Sequence, residues 1–244
     1  MIKEVEICVG SYADAKAAID AGAKCIELNS AMYLGGLTPS LGSLALVKKE
    51  YPDVHVACMV RPRGGGFHYD EEEVHQMFID AGIFLQNGAD AIVFGFLNED
   101  GTIDEDTTEK MVELIHKYNK TAVFHRAFDV TNDLFSSAET LVRLGVDRVL
   151  TSGGADSAPQ GIGELAKLQE QFGEQIEFLP GGGIRAENVS VFKGFGFSRV
   201  HSSCSSLVKD HVYRNGDVSF SYREDGIEKV DVEKVKALLE AAYE

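Results

Sequence analysis

The segment QNGADAIVF (residues 86–94) joins the end of one predicted helix to the start of one predicted strand. Its glycine suits the left-handed backbone conformation that ends a helix, and the apolar run AIVF that follows is typical of a buried strand. The same arrangement recurs in three further stretches, which are DAGAKCIEL (20–28), RLGVDRVL (143–150) and FKGFGFSRV (192–200). The recurrence predicts that the chain is built from one repeated helix–strand unit.

Short runs with strand composition occur along most of the chain. They are VEICV (5–9), CIELN (25–29), VHVACMV (54–60), AIVFGF (91–96), TAVFH (121–125), DRVLTS (147–152), IEFLP (176–180) and SRVHSS (198–203). The segments between them place apolar residues at the i, i+3, i+4 spacing of amphipathic helices. This alternation of strands and helices predicts a parallel sheet.

Eight such units in 244 residues match the size of a (β/α)8 barrel. We therefore predict a single-domain α/β protein, a TIM barrel, with an open doubly wound sheet as the alternative. No GxGxxG motif follows the first strand, and polar residues occur at many strand ends, which favours the barrel. We assign residues 1–204 to the barrel. Residues 205–244 are predicted to form an appended hairpin, with its turn at Asn215–Gly216, and a helix, which would cover one end of the barrel or contact a second copy in a homo-oligomer.

The charge of the chain limits its partners. The sequence has 23 Lys and Arg residues against 39 Asp and Glu residues, a formal net charge of −16, which would repel nucleic acid and anionic membranes. We expect neither partner. The first residues, MIKEVEICVG, lack a basic segment followed by an apolar run, which predicts a cytoplasmic protein. The four cysteines lack CxxC spacing, as expected for reduced thiols.

Acidic side chains and thiols are predicted to share the interior of the barrel. Because side chains alternate along a strand, Glu6 and Cys8 share one face of the first strand, and Cys25, Glu27 and Asn29 share one face of the second. Glu6 and Glu27 are therefore candidate acid–base groups. We expect the basic groups that follow the third and fifth strands to lie between these two carboxylates.

Those basic groups lie in two runs. Arg61 and Arg63 follow the third strand, and His125, Arg126 and Asp129 follow the fifth. An arginine can bind a carboxylate or a phosphate through two parallel hydrogen bonds, and a histidine can exchange protons near neutral pH. We predict that the arginines bind an anion, that His125 takes part in acid–base chemistry, and that Asp129 orients His125 or Arg126.

Turns rich in glycine and serine follow the last three strands. Their candidate anion-binding residues are Ser152, Gly153, Gly154, Gly182, Gly183, His201 and Ser202. Backbone N–H groups in such turns can approach an anion, and TIM barrels often bind phosphate after the last two strands. We therefore predict a small anionic ligand. Structural interpretations stay open: the glycines form only a tight turn, Glu6 and Glu27 form a buried ion pair with Arg61, and His201 is a hydrogen-bonded core residue.

The chain resembles the CutC family from about residue 4 to residue 204. The resemblance rests on GGLTPSLG (35–42), RPRGG (61–65), FHRAFD (124–129), LTSGG (150–154), GGGIRAEN (181–188) and VHSS (200–203). It implies a cytoplasmic TIM barrel associated with copper homeostasis, which binds Cu(I) through two thiols near the barrel mouth. The first thiol is present as Cys8, but Asn29 occupies the position of the second. Because a thiolate prefers Cu(I) and an amide oxygen does not, the resemblance implies a weakened copper site at Cys8.

Two functions follow from these observations. The resemblance implies a copper homeostasis protein with Cu(I) as its cofactor or cargo. The polar residues at the strand ends suggest instead an enzyme or binder that acts on a small anionic or phosphorylated metabolite by acid–base chemistry.

Overall fold

The computed structural model describes residues 2–209 and 226–244. Its main sheet consists of β1 (Glu4–Val9), β2 (Cys25–Leu28), β3 (His55–Met59), β4 (Ala91–Phe94), β5 (Thr121–Phe124), β6 (Arg148–Thr151), β7 (Glu177–Pro180) and β8 (Arg199–Ser202). The strands are parallel and lie in the order β7-β6-β5-β4-β3-β2-β1-β8. The two end strands, β7 and β8, contact each other. The sheet is thus a nearly closed barrel, and the predicted TIM-barrel fold is confirmed.

Helices cover the outside of this barrel. They are α1 (Tyr12–Asp20), α2 (Leu41–Glu50), α3 (Glu71–Gln86), α4 (Glu105–Lys117), α5 (Leu134–Arg143), α6 (Ile162–Phe172), α7 (Val189–Gly194) and α8 (Val232–Tyr243). Local sequence fixes the start of α3. The Asp70 side chain accepts a hydrogen bond from the backbone N–H of Glu73, and the Glu73 side chain accepts one from the backbone N–H of Asp70. This reciprocal pair satisfies two N–H groups that have no partner within the helix.

The apolar side chains form two separate clusters. The large one lies between the strands and the helices and includes Phe94, Phe124 and Phe178. The small one lies on the other face of β3, β4 and β5, and consists of Ala57, Met59, Ala91, Val93 and Val123. Because side chains alternate along a strand, this second cluster fills the barrel interior beside these three strands. Polar side chains occupy the interior beside β1, β2 and β8.

Ion pairs connect the amino-terminal ends of the last strands. Glu177 at the start of β7 accepts hydrogen bonds from Arg148 Nε at 2.6 Å, from Arg199 Nε at 3.2 Å and from Ser198 Oγ at 2.9 Å. Arg199 Nη1 also lies 2.5 Å from a carboxylate oxygen of Glu4. We call these contacts of Glu177 with Arg199 and Ser198 the β7–β8 junction. They join the two strands at the one place around the barrel where, within the described residues, neighbouring strands do not form a backbone ladder.

The last part of the described chain packs on the barrel. Strand β9 (Ser205–Val208) pairs antiparallel with β10 (Ile227–Val230), and α8 follows. The buried residues of α8 are Val235, Leu238, Leu239 and Ala242, and they belong to the same apolar cluster as Ile2 and Val5. The predicted turn at Asn215–Gly216 lies outside the described residues, and the division of the chain at residue 204 stays a prediction. Within the described ranges, no helix has the length and apolar composition that crossing a membrane requires.

Candidate functional site

Strand register brings a thiol, a carboxylate and an imidazole together at the carboxyl ends of β1, β2 and β8. Cys8 lies opposite Glu27 in the β1–β2 pairing, and Glu6 lies opposite His201 in the β1–β8 pairing. One possible ligand atom from each of Cys8, Glu27 and His201 lies within 4.8 Å of the others, and all three residues are buried. Among the described residues, this is the group of His, Cys, Asp and Glu side chains whose spacing suits a metal ion.

Further donors surround the Cys8 sulfur. Cys8 Sγ donates a hydrogen bond to Glu27 Oε2 at 3.3 Å. Asn29 Nδ2 donates to Glu27 Oε2 at 2.7 Å and to Cys8 Sγ at 3.3 Å. The Met32 thioether lies 3.9 Å from the Cys8 sulfur, in a short 3-10 turn after β2. The sulfur atoms of Cys8 and Met32 therefore lie side by side, while Asn29 occupies the position of the second thiol that the resemblance implies.

His201 lies between the two interior carboxylates. Its Nδ1 is 2.9 Å from Glu6 Oε1, and its Nε2 is 3.8 Å from Glu27 Oε2. The expected cations from the third and fifth strands are therefore replaced by an imidazole from the eighth. Glu6 Oε2 also accepts a hydrogen bond from the Cys25 thiol at 3.4 Å.

These contacts determine the charges in the site. Burial raises the pKa of Glu6, but the hydrogen bond and charge of His201 outweigh it and lower that pKa to about 2. Burial lowers the pKa of His201, but Glu27 and Glu6 outweigh it, so the pKa is raised. Burial also raises the pKa of Glu27, and burial together with Glu27 raises that of the Cys8 thiol. These shifts favour a charged, hydrogen-bonded pair of Glu6 and His201 beside a protonated Cys8 thiol.

His125 forms hydrogen bonds separate from those of Glu6 and His201. Its Nδ1 accepts a hydrogen bond from the Ala127 N–H at 3.1 Å, and its Nε2 has no partner among the described residues. Burial, followed by the charge of Arg61, lowers its pKa to about 3, so the imidazole is neutral. It makes no hydrogen bond to Glu6 or Glu27 in the described part of the chain.

Arg61 and Arg63 hold loops rather than line the glycine turns. Arg61 donates to the carbonyl oxygens of Leu34, Gly36 and Gly65 at 2.8–3.1 Å. It thereby fixes the loop that carries Met32. Arg63 forms an ion pair with Glu73 near the start of α3. The structure therefore does not bring these two arginines together with Arg126.

Asp129 was predicted to orient either His125 or Arg126, and in the structure it contacts Arg126. Arg126 Nε donates to Asp129 Oδ2 at 2.7 Å, and Nη2 donates to Ser152 Oγ at 2.6 Å. Asp129 also accepts from Thr151 Oγ1 at 2.5 Å and from the N–H of Gly154 at 3.1 Å. Since the Gly153 N–H donates to Thr151 Oγ1, the N–H groups of both glycines after β6 are already used.

A pocket of about 840 Å³ opens beside the Cys8 site. Of the predicted residues, it is lined by Cys8, Arg126, Gly182, Gly183, His201 and Ser202. Ser202 Oγ donates to the Ile184 carbonyl at 2.8 Å, so it braces the turn after β7. Sequence reasoning missed Met32, Arg185, Cys204 and Lys234, which also line this pocket. Only Arg185 had a local signal, because it lies two residues after the glycine turn.

Comparison with known proteins gives a consistent result. The model of the CutC family matches residues 3–206. A CutC family protein of Treponema denticola is 48% identical over 199 residues, which cover 81% of this chain and 80% of that protein. The human copper homeostasis protein cutC homolog is 39% identical over 240 residues, covering 96% of this chain and 87% of the relative.

Solved structures agree with this relationship. The crystal structure of the putative copper homeostasis protein CutC from Streptococcus agalactiae matches with a TM-score of 0.77 and 30% identity, covering 83% of this chain and 99% of the other. The 3-hexulose-6-phosphate synthase of Salmonella typhimurium has a TM-score of 0.65 at 15% identity and covers 98% of both chains, which shows a shared fold alone. The sequence motifs, the barrel fold and these matches together show that the chain belongs to the CutC family.

Proposed function

We propose that this protein is a cytoplasmic copper homeostasis protein that binds Cu(I) at the barrel mouth through Cys8, His201 and Met32. The observation that supports the proposal is the convergence of a thiol, an imidazole and a thioether at the ends of β1, β8 and β2. Two relatives, from mouse and human, are named copper homeostasis protein cutC homologs, which supports the copper homeostasis part of the proposal.

The donor types fit Cu(I). Thiolate and thioether sulfur atoms are soft ligands that select Cu(I), and imidazole binds copper well. The four cysteines are free thiols, which suits a reducing compartment such as the cytoplasm. The residues present therefore suit Cu(I) even though Asn29 contributes no sulfur.

The carboxylates have separate supporting roles in this proposal. Glu6 accepts from Nδ1 of His201, so Nε2 would be the ligand atom once metal binding has displaced its proton to solvent, an arrangement common around metal-bound histidines. Glu27 accepts from the Cys8 thiol and is the nearest group to receive its proton when the thiolate forms. Asn29 then donates to the sulfur and stabilises its negative charge.

Cu(I) titration against a competing chelator under anaerobic conditions tests the proposal. Wild-type protein should bind one Cu(I), and Cys8→Ser should lower the affinity by tenfold or more, on the order of one lost metal–sulfur bond. Met32→Leu, which removes the thioether but keeps an apolar side chain of similar size, should give a smaller loss. X-ray absorption should report both sulfur and nitrogen neighbours around the metal.

Cys58→Ala is the matched control, because Cys58 is a buried thiol that lies in the apolar cluster between the barrel and the helices. Its affinity should equal that of the wild type. Equal losses in Cys8→Ser and Cys58→Ala, or unchanged binding in Cys8→Ser, would contradict a site at Cys8.

A further inference from the structure

We propose that the pocket beside Cys8 binds the phosphate group of a small phosphorylated molecule, between Arg126 and the turn formed by Gly182 and Gly183. The proposal goes beyond copper binding and does not depend on it. It rests on the bonding of Arg126, the free N–H groups of the turn, the local charge and the size of the pocket.

Arg126 is held in place on one side and free on the other. Asp129 and Ser152 accept hydrogen bonds from its Nε and Nη2, and the Ala155 carbonyl accepts a further bond from Nη2 at 3.2 Å. Its Nη1 has no partner within the described residues. A Cβ built on Gly182 would lie 3.4 Å from this Nη1, so the free end of the guanidinium faces the turn. A braced arginine loses little side-chain entropy when it binds an oxyanion.

The turn offers backbone donors. Gly182 and Gly183 have φ angles of +89° and +76°, a conformation that glycine adopts easily and other residues rarely do. Their N–H groups donate to no acceptor in the ranges that the structure describes. By contrast, the N–H groups of Gly153 and Gly154 are already used. The turn after β7, and not the one after β6, therefore presents free donors next to Arg126.

The charge around the turn is opposite to that of the whole chain. Arg126, Arg185 and Lys234 line the pocket with a single carboxylate, that of Glu187. Arg185 forms no ion pair within the described residues, whereas Lys234 donates to the Ser205 carbonyl at 2.7 Å. In a chain of net charge −16, this is a local excess of positive charge.

The size of the pocket suits a whole small molecule rather than an inorganic ion alone. At about 840 Å³, it lies within the range of pockets that hold whole small molecules, roughly 300–1,000 Å³. Inorganic phosphate would fill only a small part of it. A phosphate monoester would place its charged group at Arg126 and leave room for its organic part beside Leu150 and Ile184, which also line the pocket.

Calorimetric titration of the full chain tests the proposal, with a Cu(I) chelator present so that metal does not contribute. Glycerol 3-phosphate and inorganic phosphate are the probes, and sodium chloride at equal ionic strength is the reference. Both probes should bind saturably, with the ester at least as tight. Arg126→Gln should weaken binding about tenfold or more, as expected for a lost hydrogen bond between charged groups.

Arg185→Ala provides a second variant that does not disturb the contacts of Asp129, and it should weaken binding about twofold to fivefold. The control is Arg143→Ala, an exposed arginine on α5 paired with Glu105, which should change affinity less than twofold. No saturable binding of either probe overturns the proposal. Wild-type affinity in both Arg126→Gln and Arg185→Ala also overturns it. If inorganic phosphate binds and glycerol 3-phosphate does not, the assignment to phosphate monoesters is wrong.

Discussion

Asn29 determines which donor atoms surround the Cys8 sulfur. The resemblance implies a thiol at this position, and the amide stands 3.3 Å from the Cys8 sulfur instead. It donates to both Cys8 and Glu27, so it holds the thiol–carboxylate pair rather than adding a soft ligand. Met32, which the sequence pattern did not reveal, supplies the second sulfur atom.

Asn29→Cys should therefore raise the Cu(I) affinity about tenfold or more, because a second thiolate would lie beside Cys8. Chelator competition measures the change. Asn29→Ser is the control, since it also removes the amide but adds no sulfur, and it should not strengthen binding. An equal gain in both variants would mean that loss of the amide, and not the new thiol, is responsible.

At the scale of elements, the sequence was sufficient for the strands and insufficient for their side-chain partners. Each predicted strand run contains or overlaps an observed strand, because period and composition are local properties. The pairing of Glu6 with His201 joins β1 to β8, the last strand of the barrel. No local sequence pattern indicates which side chains meet between strands that lie so far apart in the chain. Arg61 was predicted to bind an anion for its charge, but three loop carbonyls accept its hydrogen bonds.

The β7–β8 junction should contribute to stability in a pH-dependent way. Burial raises the pKa of Glu177, but Arg148 and Arg199 outweigh it and the pKa is lowered. A carboxylate with a lowered pKa in the folded state stabilises the protein above its unfolded pKa of about 4.3, and this contribution is lost as the pH falls further.

Glu177→Gln should accordingly cost about 1–3 kcal/mol of unfolding free energy at pH 7, as expected when the partners of a charged group are left unpaired. The difference from the wild type should shrink below pH 4, roughly the ordinary pKa of a carboxylate. Urea unfolding at several pH values measures it. Glu174→Gln, a neighbouring exposed carboxylate, is the control and should show neither effect. A cost that is independent of pH would contradict the ionic explanation.

At the scale of the whole molecule, the two ends of the described chain stabilise each other. Helix α8 contacts α1, α7 and β1, so the last helix lies beside the first strand. Leu238 is fully buried there, and Leu238→Ala should cost roughly 2–5 kcal/mol, the range for a leucine removed from a packed core. Thermal or urea unfolding checks this value. Lys236→Ala, on the exposed side of the same helix, should cost less than about 1 kcal/mol.

The homo-oligomer expected from the appended segment also stays a prediction at this scale. Light scattering of the purified protein measures its molar mass directly. A mass equal to that of a single 26.6 kDa chain at all concentrations tested would contradict it.

The β7–β8 junction also has a mechanical consequence. Backbone hydrogen bonds join seven neighbouring strand pairs, so around most of its circumference the barrel resists widening. Between β7 and β8, the described contacts at the amino-terminal ends of the strands are side-chain hydrogen bonds. These can break and re-form as the side chains rotate, without the loss of any backbone hydrogen bonds between strands. The part of the barrel wall that can widen most easily is thus formed by β7 and β8, the strands that lead into the turns lining the pocket. Amide hydrogens along β7 should exchange with solvent faster than those of β4, and an occupied pocket should slow them.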